Sequence, residues 1–233
     1  YRLTATTSVS EMEWMLARAA GHDAGFAMST TLRELRANGE TGALLDAIRE
    51  WEEARRTHAF SAAQREQLKD PAREFHLEAR SQGVWDLYPF HLSPQFTHAH
   101  ELRQPGEPAS STWTLTQTDE AQPLQFRLQV LGENSGVERL RLDVDGAATV
   151  EIPVALKSGE SLVCDGTAIV RVYDDKGRQT RTVMLPRVPP TVAPGRHTVA
   201  FDAAFTGEGG RMEATFKTRG AAERVRSSSG AAR

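Results

Sequence analysis

Residues 85–100, WDLYPFHLSPQFTHAH, gather four aromatic side chains and three histidines in a chain that is only 7% aromatic. Two chemistries suit such a stretch. His98 and His100, two apart in an extended strand, share one face, a spacing that zinc and iron sites use, with His91 or Glu101 as further ligands. Glu101 would face the opposite side, however, and no third ligand stands at a diagnostic spacing. No metal is therefore expected, and a metal-dependent hydrolase built on His91, His98 and His100 is the weakest of three functional readings. The second chemistry is sugar recognition by VWDLY. Aromatic faces stack on the C–H surfaces of sugars, and a neighbouring carboxylate accepts from two hydroxyls. Trp85, Asp86 and Tyr88 are accordingly the expected substrate-binding residues. In an extended strand Trp85 and Leu87 share one face, Asp86 and Tyr88 the other. Packing at a domain seam is the competing use of the same residues.

Other reactive side chains form no recognisable arrangement. Cys164 is the single cysteine, so it can form neither an intrachain disulfide nor a thiolate metal site, and the alternation of SLVCDG makes it a small buried side chain. YDDKG is acidic but lacks the alternating oxygen ligands of a calcium loop and reads as a hairpin turn. GEGG, 207–210, lacks the strand-before, helix-after context of a phosphate loop. His58 and His76 belong to no Ser/His/Asp set, and there is no nucleophile elbow. No catalytic residue and no cofactor is expected within the chain.

The 233 residues suffice for one large domain or two modest ones. With 28 Lys and Arg against 31 Asp and Glu, net charge −3, there is no general electrostatic reason to bind nucleic acid. No stretch approaches the roughly 20 apolar residues of a membrane helix. The start at Tyr1, without methionine or leader, suggests a processed or truncated chain.

The elements change period midway. In SVSEMEWMLARAAG, Ser8 and Glu11 form a capping box ahead of Met12, Met15, Leu16 and Ala19 at helical spacing, with Gly21 as the stop. AGFAMST, 24–30, is short, apolar and unalternated, as a strand buried on both faces would be. TGALLDAIREWEEARR carries Leu44, Leu45, Ile48 and Trp51 on one stripe. A third helix begins at Ser61, capped with Gln64, and breaks at Pro71. From 112 onward, TWTLTQT, LQFRLQVL, ERLRLDV, ATVEIPV, AIVRVYD, TRTVMLP, HTVAFDAAF and RMEATFKT alternate apolar and polar residues between turn signals. They predict about eight antiparallel strands in a β-sandwich or jelly roll. RQPGEPASS, 103–111, reads as a linker, and RVRSSSGAAR as part of a disordered tail. The expected domains are thus 1–102, a linker at 103–111, a sandwich at 112–221 and a tail at 222–233. A strand buried on both faces needs neighbours, and residues 1–109 supply only EFHLEA and VWDLY. The first half accordingly reads as the end of a larger α/β domain.

EMEWMLARAAGHDAGFAMST…LLDAIREWEEAR resembles the final repeats of bacterial glycoside-hydrolase-like (β/α)8 barrels. LKSGESLVCDG…VYDDKG…PPTVAPGRHTVAFDAAF is similar to the β-sandwich accessory domain that follows such barrels. The resemblance implies a two-part α+β chain, in which terminal helix-strand-helix units of a TIM-like barrel precede an antiparallel sandwich. It implies a secreted or periplasmic carbohydrate-active protein of which this chain is a noncatalytic C-terminal region. The sandwich would pack on the barrel and contact glycan, and an upstream barrel domain or partner chain would pack on residues 1–102. Barrel chemistry sits at the carboxyl ends of strands, here Met28, Ser29 and Thr30, which include no acid or base. Asp23 lies at the wrong end, so the carboxyl pair of a glycosidase would lie outside the chain. The alternative reading is a stand-alone assembly module that binds a glycan or a protein.

Overall fold

Capping and alternation decide most of the elements. The structure, a computed structural model, describes residues 1–99, 110–207 and 209–228. The chain divides into two units, one of 1–91, 176–178 and the described part of 219–233, the other of 92–175 and 179–218.

In the first unit, helix α1 (Val9–Gly21) starts at the expected capping box. Ser8 Oγ accepts from Glu11 N at 3.2 Å, and Glu11 Oε2 accepts from Ser8 N at 2.8 Å. Gly21 is fixed by a close approach: a Cβ there would lie 2.9 Å from Arg65 O and Lys69 N, inside the backbone of a neighbouring helix. Helix α2 (Leu32–Ala37) is capped by Thr31, whose Oγ1 accepts from Glu34 N at 3.2 Å. Helix α3 (Thr41–Arg56) buries Leu44 and Trp51 but leaves Leu45 46% exposed, so its apolar stripe is narrower than the spacing suggests. Helix α4 (Ala62–Leu68) carries the Ser61/Gln64 capping box, as expected.

The barrel reading fails at residues 24–30. That stretch is largely exposed, Met28 at 37%, and its pairing among the described residues is one isolated parallel bridge between Arg2 and Ser29. A parallel barrel strand must be paired on both sides and covered on both faces, and this one is neither. The other two candidates, EFHLEA and VWDLY, instead form an antiparallel hairpin, β1 (Glu74–Ser81) and β2 (Val84–Leu92), turning at Gly83 with φ 68°. The predicted helix-strand-helix barrel units are therefore absent, and the described residues make a mostly β fold, 45% strand and 20% helix. The expected tail is also corrected in part. Glu223–Arg226 forms β16, antiparallel to β2, with Val225 opposite Trp85. Alternation gives this small sheet one apolar face: Phe75, Leu77, Trp85, Leu87 and Val225 join Met12, Leu16, Leu44, Trp51 and Leu68 in one core.

A carboxylate enters that core. Glu13, 5% exposed on α1, accepts from Trp51 Nε1 at 3.1 Å and from the Leu77 amide at 3.2 Å, and its carboxylate lies 3.0 Å from His76 Nδ1. The carboxylate thereby serves a β1 amide and an indole that burial would otherwise leave unpaired.

The second unit matches the alternation of its sequence. Strands β3 (Phe96–Ala99), β4 (Ser111–Gln117), β5 (Gln122–Pro123), β6 (Gln125–Leu131), β7 (Gly136–Val144) and β8 (Ala148–Ile152) come first. They are followed by β9 (Leu156–Lys157), β10 (Ser161–Cys164), β11 (Ile169–Tyr173), β12 (Gln179–Met184), β13 (Thr191–Val192), β14 (Gly195–Thr206) and β15 (Arg211–Arg219). One antiparallel sheet runs β15-β6-β10-β11-β12 with β3 on β15; the other runs β4-β14-β7-β8 with β9 also on β7; β5 and β13 pair separately. The β7–β8 hairpin turns at Asp145 (φ 55°) and Gly146 (φ 66°), as its Asp-Gly signal indicates. Phe126, Leu128, Val170 and Val172 from the first sheet and Leu142, Val150, Val199 and Phe201 from the second share one core, the arrangement of a β-sandwich. Of the expected linker 103–111 only 110 and 111 are described, and Ser111 already opens β4.

Candidate functional site

On the face of the β1-β2-β16 sheet away from the helices, alternation places Asp86 and Tyr88 beside each other. Glu78 stands directly opposite Asp86 across the β1–β2 pair, an unfavourable like-charge neighbour. Arginines resolve the conflict. Arg80 Nε donates to Asp86 Oδ2 at 2.6 Å, and Arg224 Nε lies 2.6 Å from Asp86 Oδ1. Arg80 Nη2 donates to Tyr88 Oη at 2.7 Å, and its Nη1 is 3.1 Å from Glu78 Oε1. Arg219 Nη2 reaches Glu78 Oε2 at 3.2 Å, while its guanidinium lies 3.3 Å from the centroid of the Tyr88 ring, a cation–π contact.

The electrostatics follow from these bonds. The Arg80 hydrogen bond, helped by Arg224, holds the Asp86 carboxyl below the usual carboxylate range against the opposing pull of burial. The same bond, with Glu78 adding to it, raises Arg80 further. The Asp86 side chain is 6% exposed, so its charge is spent on the two arginines rather than offered to solvent. Arg224, by contrast, is 51% exposed and committed through Nε alone among the contacts that define the cluster.

No family model matches the chain, and no curated protein matches it. What the site does must be argued from its geometry.

Of the three expected ligand-binding residues, Asp86 and Tyr88 are brought together and Trp85 is not. Trp85 is 1% exposed, faces the helices and donates Nε1–H to Glu50 Oε2 at 2.8 Å. Its ring has no free face for a sugar. Sequence reasoning also missed Glu78, Arg80, Arg219 and Arg224. Arg80 was within reach of a hairpin reading, since it lies just before the turn that leads to Asp86. Arg219 and Arg224 are far along the chain, and their one local signal is the short alternation ERVR.

Of the three histidines in the stretch, His91 and His98 lie among the described residues. His98 is 2% exposed, with Nδ1 2.8 Å from Ser111 Oγ, edge-on to Phe201 at 5.1 Å and stacked on Phe205 at 5.4 Å. It is a core residue of the second unit. His91 belongs to the first unit, and His100 and Glu101 lie outside the described residues. Among the described residues no group of three or more His, Cys, Asp or Glu is placed to hold a metal ion. Cys164 is buried as expected, and burial pushes its thiol up to about 11, which keeps it protonated and unreactive at neutral pH. A groove of about 310 Å³ in the second unit is lined by Thr149, Val150, Glu151, Pro186, Arg187 and Val188, where Glu151 is the one carboxylate.

Proposed function

We propose that this chain is a noncatalytic, carbohydrate-binding module that serves a carbohydrate-active, glycoside-hydrolase-like protein. The single observation that carries the reading is the closed ion-pair array around Asp86. A glycosidase needs a protonated carboxyl group and an ionised one that reaches the sugar or a water, whereas Asp86 is held ionised with both oxygens engaged by Arg80 and Arg224 and its side chain only 6% exposed. The same bonds fix a set of planar polar groups on a rigid strand face, which suits recognition rather than proton transfer. Trp85, Asp86 and Tyr88 are all buried, so the ligand contact expected at VWDLY passes to the exposed arginines that Asp86 and Tyr88 hold in place. The β-sandwich of the second unit supports the accessory-module part of the reading by its architecture alone.

Titration calorimetry of the purified chain against neutral and acidic oligosaccharides tests this reading, run beside a hydrolysis assay on the same sugars. Saturable binding of at least one sugar without turnover is the expected result. Turnover of any of these sugars would overturn the noncatalytic part, all the more if Asp86→Asn abolished it, and absence of binding across both sugar classes would overturn the carbohydrate part.

A further inference from the structure

The arginine array is unequal in what it leaves available. Arg80 is used up on Asp86, Tyr88 and Glu78, and Arg219 is drawn onto Glu78 and the Tyr88 ring. Arg224 is anchored by Nε to a buried carboxylate oxygen, and its side chain is half exposed. A guanidinium bonded through Nε keeps its two Nη groups as further donors, on a side chain that has less rotamer freedom left to lose on binding. Two residues on, Arg226 lies on the same face of β16 and is exposed, about 7 Å along the strand. No carboxylate pairs with it among the described residues. The three strands and Arg219 carry four arginines (80, 219, 224, 226) and four carboxylates (74, 78, 86, 223), but Glu74 lies at the far end of β1 and Glu223 accepts from Gln64 on α4, which leaves Arg224 and Arg226 adjacent with Asp86 as the carboxylate that meets Arg224.

The surroundings narrow the class of ligand. The large exposed apolar side chains among the described residues are Tyr1, Trp14, Met28, Leu32, Leu45, Leu92, Met184 and Val188, none of them in 78–88 or on β16. A protein partner would need an apolar centre to its interface, which this patch does not offer. A nucleic acid would need a longer positive track than two exposed arginines on an acidic chain. A polar ligand with planar anionic groups set among hydroxyls fits what is present. We propose that the Arg224–Arg226 edge binds the carboxylates of a glycan that contains uronic acid, with the Arg224 fork taking one carboxylate in bidentate fashion and Arg226 meeting the next. This rests on the carbohydrate reading given above and adds to it the charge of the sugar.

The test uses the full chain and three probes: oligogalacturonate, the same oligomer methyl-esterified, and poly-glutamate. Arg226→Gln removes a side chain that holds nothing in place, so it leaves the melting temperature unchanged; Arg224→Lys keeps the charge but removes the fork. The expected result is binding of oligogalacturonate that weakens with salt, is lost on esterification and drops about tenfold or more in each variant. Equal binding of the esterified oligomer would overturn the anion site and leave the carbohydrate reading standing. Binding of poly-glutamate alone would overturn both, as would failure of every oligosaccharide to bind. Undiminished affinity in Arg226→Gln and Arg224→Lys would place the acidic sugar elsewhere and overturn the assignment to this edge.

Discussion

The indole Nε1–H of Trp85 donates to Glu50 Oε2 at 2.8 Å, and the ring behind it is 1% exposed. This pair turns the most sugar-like residue of the sequence into a fastener between β2 and α3. Trp85→Ala should lower stability by about 3–5 kcal/mol, the usual range for removing a buried tryptophan, and Trp85→Phe by less, since packing is partly kept while Glu50 loses its donor. Urea unfolding followed by circular dichroism measures both. Ligand affinity per folded molecule should not change in Trp85→Phe. A selective loss of affinity at unchanged stability would return Trp85 to the binding surface.

Glu13 is the second fastener of that core. Its carboxylate meets the Trp51 indole, the Leu77 amide and the His76 ring, so Glu13→Ala strands three partners at once. A loss of at least about 2 kcal/mol is expected, because each buried donor left without an acceptor is itself costly. Glu13→Gln keeps one acceptor oxygen in place and should recover part of the difference. Equal stability of the Ala and Gln variants would show that the hydrogen bonds do not matter and that Glu13 is held by packing alone.

Local rules explain what the sequence disclosed. The boxes at Ser8/Glu11 and Ser61/Gln64 involve neighbours within four residues and appear as read, and the Asp145-Gly146 turn is local in the same way. Thr31 and Glu34 have the same spacing, but the six-residue helix α2 that they open was absent from the sequence reading. The alternation of the second half needs no partner to be visible, and its strands form where it occurs. Residues 24–30 misled because an unalternated apolar run is equally compatible with a buried strand and with a covered or exposed loop; the choice depends on which strands lie beside it. EFHLEA and VWDLY carried the right alternation, but only the Gly83 turn decides that they pair antiparallel with each other. The candidate site was half legible for the same reason. Asp86 and Tyr88 share a strand face by period, whereas Arg219 and Arg224 reach them only through tertiary pairing.

The chain end bears on this directly. Val225 is fully buried against the helical core and Arg224 closes one side of Asp86, although the segment lacks the length for a confident strand pattern. Truncation after Ala222 should therefore destabilise the first unit, by at least the about 1.5–3 kcal/mol expected for exposing a valine-sized core position, and should release Trp85 fluorescence to longer wavelengths. Truncation after Ser228 should do neither. If both truncations melt alike, β16 contributes nothing to the fold.

In the second unit, His197 and Asp145 give stability a defined pH dependence. His197 Nδ1 lies 2.7 Å from Asp145 Oδ2, and its Nε2 is 2.8 Å from the carbonyl oxygen of Ala193; Asp145 Oδ1 accepts from the Thr198 amide at 2.7 Å. With an acceptor at each ring nitrogen, the doubly protonated imidazolium satisfies both. The Asp145 hydrogen bond accordingly raises the His197 pKa, helped by the Ala193 carbonyl and opposed by burial. The His197 hydrogen bond in turn lowers Asp145, and the Thr198 amide lowers it further. A group whose folded pKa is raised stabilises fully below its unfolded value, about 6.5, and loses that stabilisation as pH rises through the folded value. A group whose folded pKa is lowered stabilises above its unfolded value, about 3.9, and loses it as pH falls through the folded value. The pair therefore stabilises most between about pH 4 and 6.5, and fades on the alkaline side through His197 and on the acid side through Asp145. Urea denaturation of the wild type and of His197→Gln across pH 3 to 9 isolates this contribution as a difference curve. That curve should peak inside the window and decline above neutrality, as the β7–β8 turn loses its charged tie to β14. A difference that stays constant from pH 5 to 9 would mean that His197 binds as the neutral ring, with Asp145 a hydrogen-bond acceptor and nothing more.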